Sequence, residues 1–167
     1  MTAADQDAQF HDLLERHRGI VFKVANSYAS NAHDREDLAQ EIAVQLWRAF
    51  PKYDGARSFS TWMYRVALNV AISHLRERSR FERHHEPLDM TLHDDADAGS
   101  EPDADARVRE LYRCIARLDP LDRALLILYL DERSQRDIAE ILGISETNVA
   151  TKIGRLKERL RNDMSEA

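Results

Sequence analysis

Ser134–Arg161, SQRDIAEILGISETNVATKIGRLKERLR, carries the pattern of two short amphipathic helices joined by a sharp turn. Ser134 with Asp137 three positions later has the signature of a capping box, Ile138, Ile141 and Leu142 give the first helix one apolar face, and Gly143 supplies the turn. Ser145 then caps a second helix in which Val149, Ile153, Leu156 and Leu160 follow at spacings of four, three and four, so a single seam turns inward. Thr147, Asn148, Thr151, Lys152 and Arg155 are left outside. Small hydrogen-bonding side chains in the first turns, with cations after them, suit a helix that enters a major groove and then meets phosphate. Cations on a solvated face are ordinary, but Lys152, Arg155, Lys157, Arg159 and Arg161 stand against one acid, Glu158, and that excess favours a polyanion partner.

The 167 residues allow one ordinary domain or two small ones, and 43% hydrophobic residues suffice for packed cores. The longest apolar run, Ala124–Leu130, is far short of the ~20 residues a membrane-spanning helix needs. The polar, acidic start MTAADQDAQF has neither the cationic nor the apolar part of a secretory signal, so a cytoplasmic protein with no membrane insertion is expected. Cys114, the one cysteine, excludes an internal disulfide, and its neighbours Leu111, Ile115 and Leu118 predict a buried thiol. The histidines are scattered and nothing suggests a metal or a cofactor. No Gly-rich phosphate loop, ligand cluster or activated nucleophile is present, so no enzyme is expected.

A net charge of −6 appears to exclude nucleic acid until the charges are located. Eight carboxylates and no Lys or Arg lie between Glu86 and Asp105, so the rest of the chain is net positive. That acidic stretch contains two prolines and few apolar residues, the composition of a flexible linker. On its N-terminal side, periodicity near 3.6 predicts one long helix from Phe10 to about Tyr28, interrupted only mildly by Gly19, a second over Asp34–Phe50 stopped by Pro51, and a third capped by Ser58 and running to about Arg80. On its C-terminal side, VRELYRCIARL and DRALLILYLDE add two helices to the opening pair. The expected fold is all-α: two small helical domains, residues 8–83 and 106–163, joined by a flexible acidic linker over 84–105.

The order DLAQE (37–41), PKYDGARSFSTWMYRVALNV (51–70), acidic spacer, helix-turn-helix resembles the bacterial RNA polymerase sigma factors, and within them the extracytoplasmic-function group that keeps only regions 2 and 4. The resemblance spans about residues 8–163 and implies a subunit that brings core RNA polymerase to promoter DNA and helps open it, with an anti-sigma factor as a further expected partner. It implies that Asp37, Gln40 and Glu41 grip the clamp helices of the polymerase, and Arg48 lies on the same helix as an available charge. It implies that Lys52–Ser58 and Phe59–Trp62 open the minus-ten element. Tyr53, Phe59 and Trp62 are then stacking surfaces, Lys52, Arg57 and Arg65 phosphate contacts, and Asn69 a base contact. Each of the three aromatics also has a core reading: Trp62 is in register with Val66, so a core role stands evenly beside its stacking role, whereas Tyr53 sits in a loop and suits stacking better. It implies finally that Asn148, Ala150, Thr151, Lys152, Gly154 and Arg155 face the minus-thirty-five element. Ala150 and Gly154 depart from the arginine-rich pattern common in that group, which leaves direct readout to Thr151, Lys152 and Arg155. The eight linker carboxylates have two readings, a strand of phosphate mimics in a basic channel or a solubilising spacer. The rival function is a stand-alone helix-turn-helix regulator that binds duplex DNA as a dimer.

Overall fold

The computed structural model describes residues 2–84 and 102–165, and among these there is no strand. The elements are α1 (Ala3–Arg16), α2 (Arg18–Tyr28), α3 (Ala32–Ala49), a 3-10 turn (Phe50–Lys52), α4 (Phe59–His84), α5 (Pro102–Ala116), α6 (Pro120–Leu130), α7 (Gln135–Leu142) and α8 (Glu146–Ser165). The all-α expectation holds. Most of the acidic linker falls outside the described residues. The backbone of α5 is helical from Pro102, so the second unit starts four residues before the expected 106.

The N-terminal half departs from the expected three helices. Residues 10–28 do not form one helix: His17, at φ −117° and ψ 16°, separates α1 from α2. Its N–H bonds to the carbonyls of Leu13 and Leu14, which closes α1. The break redirects the chain, so that the Phe10 ring meets that of Phe50 at 5.2 Å while Ile20, Val21, Val24 and Ala25 of α2 are buried against α3 and α4. Both segments bury an apolar face, which is why the periodicity runs through the break with only Gly19 as a mild interruption. α1 also begins earlier than Phe10, because Thr2 and Asp5 form a complete capping box.

α3 starts on Asn31, whose side chain accepts from the Asp34 N–H at 2.9 Å, and buries Leu38, Ile42 and Leu46 completely. Each such side chain contributes roughly 1.5–3 kcal/mol, so this seam fixes the rotation of the helix about its axis. Ser58 caps α4, accepting from the Thr61 N–H at 3.3 Å.

In the C-terminal half, α6 buries five consecutive residues, Ala124–Leu128. A helix covered on every side needs neighbours on every side. α7 and α8 cover one part of α6, and α2 and α4 of the N-terminal half cover another, so the two halves share one continuous apolar core. Asp119 caps α6 and Pro120 occupies its first turn. At its other end Glu132 takes a left-handed conformation (φ +57°). The Arg133 N–H then reaches the Leu128 carbonyl and the Glu132 N–H reaches that of Tyr129, a Schellman closure that leaves Asp131 as the C-cap.

Candidate polymerase and nucleic-acid interface

On α3, Asp37, Gln40, Glu41 and Arg48 are all exposed, because Leu38, Ile42 and Leu46 take the opposite side inward. At about 100° per residue they lie within roughly a third of the circumference. Two apolar side chains that the sequence reading passed over share this arc: Val44 is 45% exposed and Trp47 is 53% exposed. Trp47 is tethered only at its edge, by Nε1 donating to Asp7 Oδ1 at 3.3 Å, so its ring stays open to a partner. The available signal was the spacing 37, 40, 44, 47, an apolar pair inserted in a polar stripe. Two carboxylates of the stripe have histidine neighbours: His33 Nε2 lies 3.4 Å from Asp37 and His74 Nδ1 lies 3.9 Å from Glu41.

The loop from Lys52 to Ser58 folds over an aromatic cluster. Gly55 adopts φ +76°, the Asp54 carboxylate accepts from the Ala56 N–H at 2.9 Å, and the Tyr53 hydroxyl donates to the Arg57 carbonyl at 2.6 Å. The rings of Tyr53 and Trp62 meet at 5.1 Å, and those of Phe59 and Trp62 at 5.4 Å. Phe50 and Phe59 form the buried floor of this cluster, whereas Tyr53 and Trp62 are half-buried. Phe59 therefore departs from expectation. At 7% exposure it offers no face to a base, because it is the first residue of α4 and points into the space between His17, Phe50 and Trp62. It props the two rings that are accessible.

Trp62, Arg65 and Asn69 fall on one side of α4, within about 60° of one another, and Arg65 and Asn69 are exposed. Lys52 is exposed as well. Arg57 is already engaged, by an ion pair with Glu140 of α7.

The helix-turn-helix has the expected parts. Ser134 Oγ accepts from the Asp137 N–H at 3.0 Å, though of the reciprocal capping box only this half is present. Gly143 adopts φ +70° and donates to the Ala139 carbonyl at 2.8 Å. Ser145 Oγ accepts from the Asn148 N–H at 3.1 Å at the start of α8. Val149, Ile153 and Leu156 are buried, which turns Asn148, Ala150, Thr151, Gly154 and Arg155 outward, with Lys152 half-buried at the edge. The Thr151 hydroxyl donates to the Thr147 carbonyl at 3.0 Å, so what it presents outward is a methyl group and an acceptor oxygen. A Cβ placed on Gly154 would meet nothing within 4 Å. Two of the expected phosphate-seeking cations are committed elsewhere: Lys157 Nζ sits 4.6 Å above the Tyr129 ring and Arg159 pairs with Asp163 at 4.0 Å.

Between the halves lies a polar cluster that no local pattern announced. Asp131 accepts from Lys23 Nζ at 2.9 Å and from the Tyr64 hydroxyl at 2.8 Å, and Arg133 Nε lies 3.1 Å from the same carboxylate. Burial pushes the Asp131 carboxyl up, but the hydrogen bonds from Lys23, Tyr64 and Arg133 outweigh it and hold the group below its ordinary value. Burial, followed by the contact with Asp131, raises the Tyr64 phenol. Arg133 also donates to Ser60 Oγ at 2.8 Å, the Tyr28 hydroxyl donates to the Pro120 carbonyl at 2.6 Å, and Arg123 donates to the Ser27 carbonyl at 3.2 Å.

Among the described residues no group of three or more His, Cys, Asp or Glu could hold a metal ion, and no helix is long and apolar enough to cross a membrane.

Comparison with known proteins fits this arrangement. The sigma-70 region 2 model matches residues 13–81 and the sigma-70 region 4 model matches residues 108–160. The chain is 31% identical to the ECF RNA polymerase sigma factor SigW of Bacillus subtilis, over 96% of this chain and 90% of that protein. Two solved structures share the fold with a TM-score of 0.70 over 96% of this chain. One is CnrH in complex with the cytosolic domain of CnrY, 23% identical over 90% of its chain, and the other is the sigma factor RpoE in complex with the anti-sigma factor NepR from Bartonella quintana, 19% identical over 97% of its chain.

Proposed function

Because the chain belongs to the extracytoplasmic-function group of bacterial RNA polymerase sigma factors, which bind core polymerase and direct it to promoters, we propose that its two helical units divide that work between them. The N-terminal unit docks on the polymerase through the α3 stripe of Asp37, Gln40, Glu41 and Arg48, joined by Val44 and Trp47. Its loop and α4 take the minus-ten element: Tyr53 and Trp62 stack on unpaired bases, Lys52, Arg57 and Arg65 hold phosphates, and Asn69 contacts a base edge. Unstacking bases costs a few kcal/mol per step, an amount that stacking on two rings offsets in large part. The C-terminal unit fixes the minus-thirty-five duplex with Asn148, Ala150, Thr151, Lys152, Gly154 and Arg155. The protein contributes binding energy and catalyses no reaction, and it works in the cytoplasm where its polymerase is.

The observation that carries this reading is a single chain in which an exposed polar stripe, a half-buried aromatic platform and a helix-turn-helix occupy three separate surfaces. A stand-alone dimeric regulator needs only the third and leaves region 2 without a role. Two structural relatives are held by proteins named as partners, one of them an anti-sigma factor, and we assign a partner of that kind to this chain.

Reconstitution with core polymerase on a promoter library tests the division. Asp37→Ala should impair holoenzyme assembly, Trp62→Ala strand opening, and Arg155→Ala upstream selectivity. Three variants with one common defect would overturn the assignment of separate surfaces.

A further inference from the structure

Trp47 is the larger of the two apolar side chains on the docking stripe of α3, and its only polar atom is bonded to a different helix. Nε1 donates to Asp7 Oδ1 of α1 at 3.3 Å. Both groups are exposed, so water competes for them and the bond adds little to the stability of the fold. What it does is fix the indole in one place.

The bond is a product of helix register. Three positions further along each helix, the Phe10 ring meets the Phe50 ring at 5.2 Å, and both of these side chains are buried. The pairs 7–47 and 10–50 keep the same offset of 40 positions, so α1 runs beside the end of α3 in the same direction. Phe10 is the buried residue of α1, and a side chain three positions before it lies on the same side of the helix. The start of α1 is fixed as well, because the capping box of Thr2 and Asp5 is complete. A carboxylate therefore stands at a defined place beside a ring that solvent alone would leave free to change rotamer.

Trp47 shares its arc with Asp37, Gln40, Glu41 and Arg48, the residues assigned to the polymerase. A large side chain that must be ordered on binding costs affinity, and one already held in its bound orientation does not. The tether takes the N–H and leaves the carbon surface of the ring half open.

We infer that Asp7 is a positioning residue of the polymerase-docking surface: through the Trp47 N–H it holds the indole ready beside the α3 stripe, and it acts on polymerase through that ring, not through its own charge. The inference rests on the docking role proposed for Trp47 and gives α1 a part in assembly.

The test uses the full-length chain and three variants. Asp7→Ala removes the acceptor, Asp7→Asn keeps an oxygen acceptor without the charge, and Trp47→Phe keeps a ring without the donor. In competition for holoenzyme formation, Asp7→Ala should be about threefold weaker than the parent and Asp7→Asn close to it, and Asp7→Ala should add nothing in the Trp47→Phe background. The chain has two tryptophans, so Trp62→Phe leaves Trp47 as the one emitter. In that background the fluorescence anisotropy of the free protein should fall with Asp7→Ala and hold with Asp7→Asn. Unchanged anisotropy, parental affinity of Asp7→Ala, Asp7→Asn as weak as Asp7→Ala, or losses that add with Trp47→Phe would each overturn the positioning role. Ala is the strongest helix former, so α1 should persist. If Asp7→Ala nonetheless loses helical circular dichroism, Trp47→Phe decides alone, with weaker assembly supporting the role and parental assembly overturning it. A parent that never binds core polymerase would overturn the docking reading and this role together, whereas a binding parent with indifferent variants overturns this role alone.

Discussion

The Tyr64 hydroxyl donates a 2.8 Å hydrogen bond to the Asp131 carboxylate, joining the buried side of α4 to the C-cap of α6, 67 residues away in the chain. Tyr64 is fully buried, so the bond satisfies a phenol that would otherwise lack a partner in an apolar interior.

This bond sets an acid limit on the contact between the two halves. The folded Asp131 carboxyl is held below its ordinary value of 3.8, so the stabilisation it brings is complete above that value and is lost as the pH falls through the lower, folded one. Stability of the parent and of Asp131→Asn, followed by thermal unfolding, should therefore differ at neutral pH and converge in strong acid. Tyr64→Phe, which keeps the ring, should cost about 1.5 kcal/mol at neutral pH.

Two turns of opposite character bracket α7. Glu132 is a non-glycine residue at φ +57°, and Gly143 is a glycine at φ +70° with open space where a Cβ would stand. The strain at each is a matter of backbone alone. Glu132→Gly should stabilise the fold by about 0.5–1 kcal/mol and Gly143→Ala should destabilise it by about 1 kcal/mol, both read from denaturant midpoints at unchanged slope.

Trp47 is a large ring left at the surface of a helix whose other exposed residues are mostly polar. Trp47→Ala should leave the melting temperature nearly unchanged and weaken core polymerase binding about tenfold, as measured by competition for holoenzyme formation. A fall in melting temperature with unchanged assembly would make Trp47 a structural residue held by α1.

On α8, Thr151 and Gly154 lend themselves to paired tests. Thr151 has spent its proton on the Thr147 carbonyl, so it suits a base amino group or a thymine methyl and is a poor match for the two acceptors of guanine. Thr151→Val keeps a methyl and removes the acceptor. A loss of about 1–3 kcal/mol in minus-thirty-five discrimination marks amino readout, and no loss marks methyl readout. Gly154→Ala should stabilise the helix by about 1 kcal/mol and weaken binding to the duplex, because nothing in the chain itself claims the space above Gly154.

The residues legible in the sequence were those whose role is local. Gly143 and Ser145 punctuate α7 and α8 as the sequence pattern required, and the seam of Val149, Ile153 and Leu156 is buried as its spacing required. The break at His17 was not legible: no proline or turn pair marks it, and Gly19, two residues on, reads as a mild interruption of one helix and lies inside α2. Which of the two readings open to Phe59 the fold takes was not legible for a related reason. An aromatic beside an exposed loop looks available until its neighbours Phe50 and His17, which come from other elements, are seen to cover it.

Periodicity and capping follow from contacts within a few residues, and the sequence alone was enough to establish seven helices' worth of amphipathic pattern, the helix-turn-helix and the charge asymmetry. The run Ala124–Leu128 hinted that α6 is covered all round, but not by what. Only the tertiary structure decided that the second cover is α2 and α4, that Lys23 and Tyr64 converge on Asp131, and that Arg57 faces Glu140. These partners are separated by 67 to 108 positions, or lie on different units, and a pairing over such distances depends on how whole helices stack, a sum over many weak contacts that no short stretch of chain encodes.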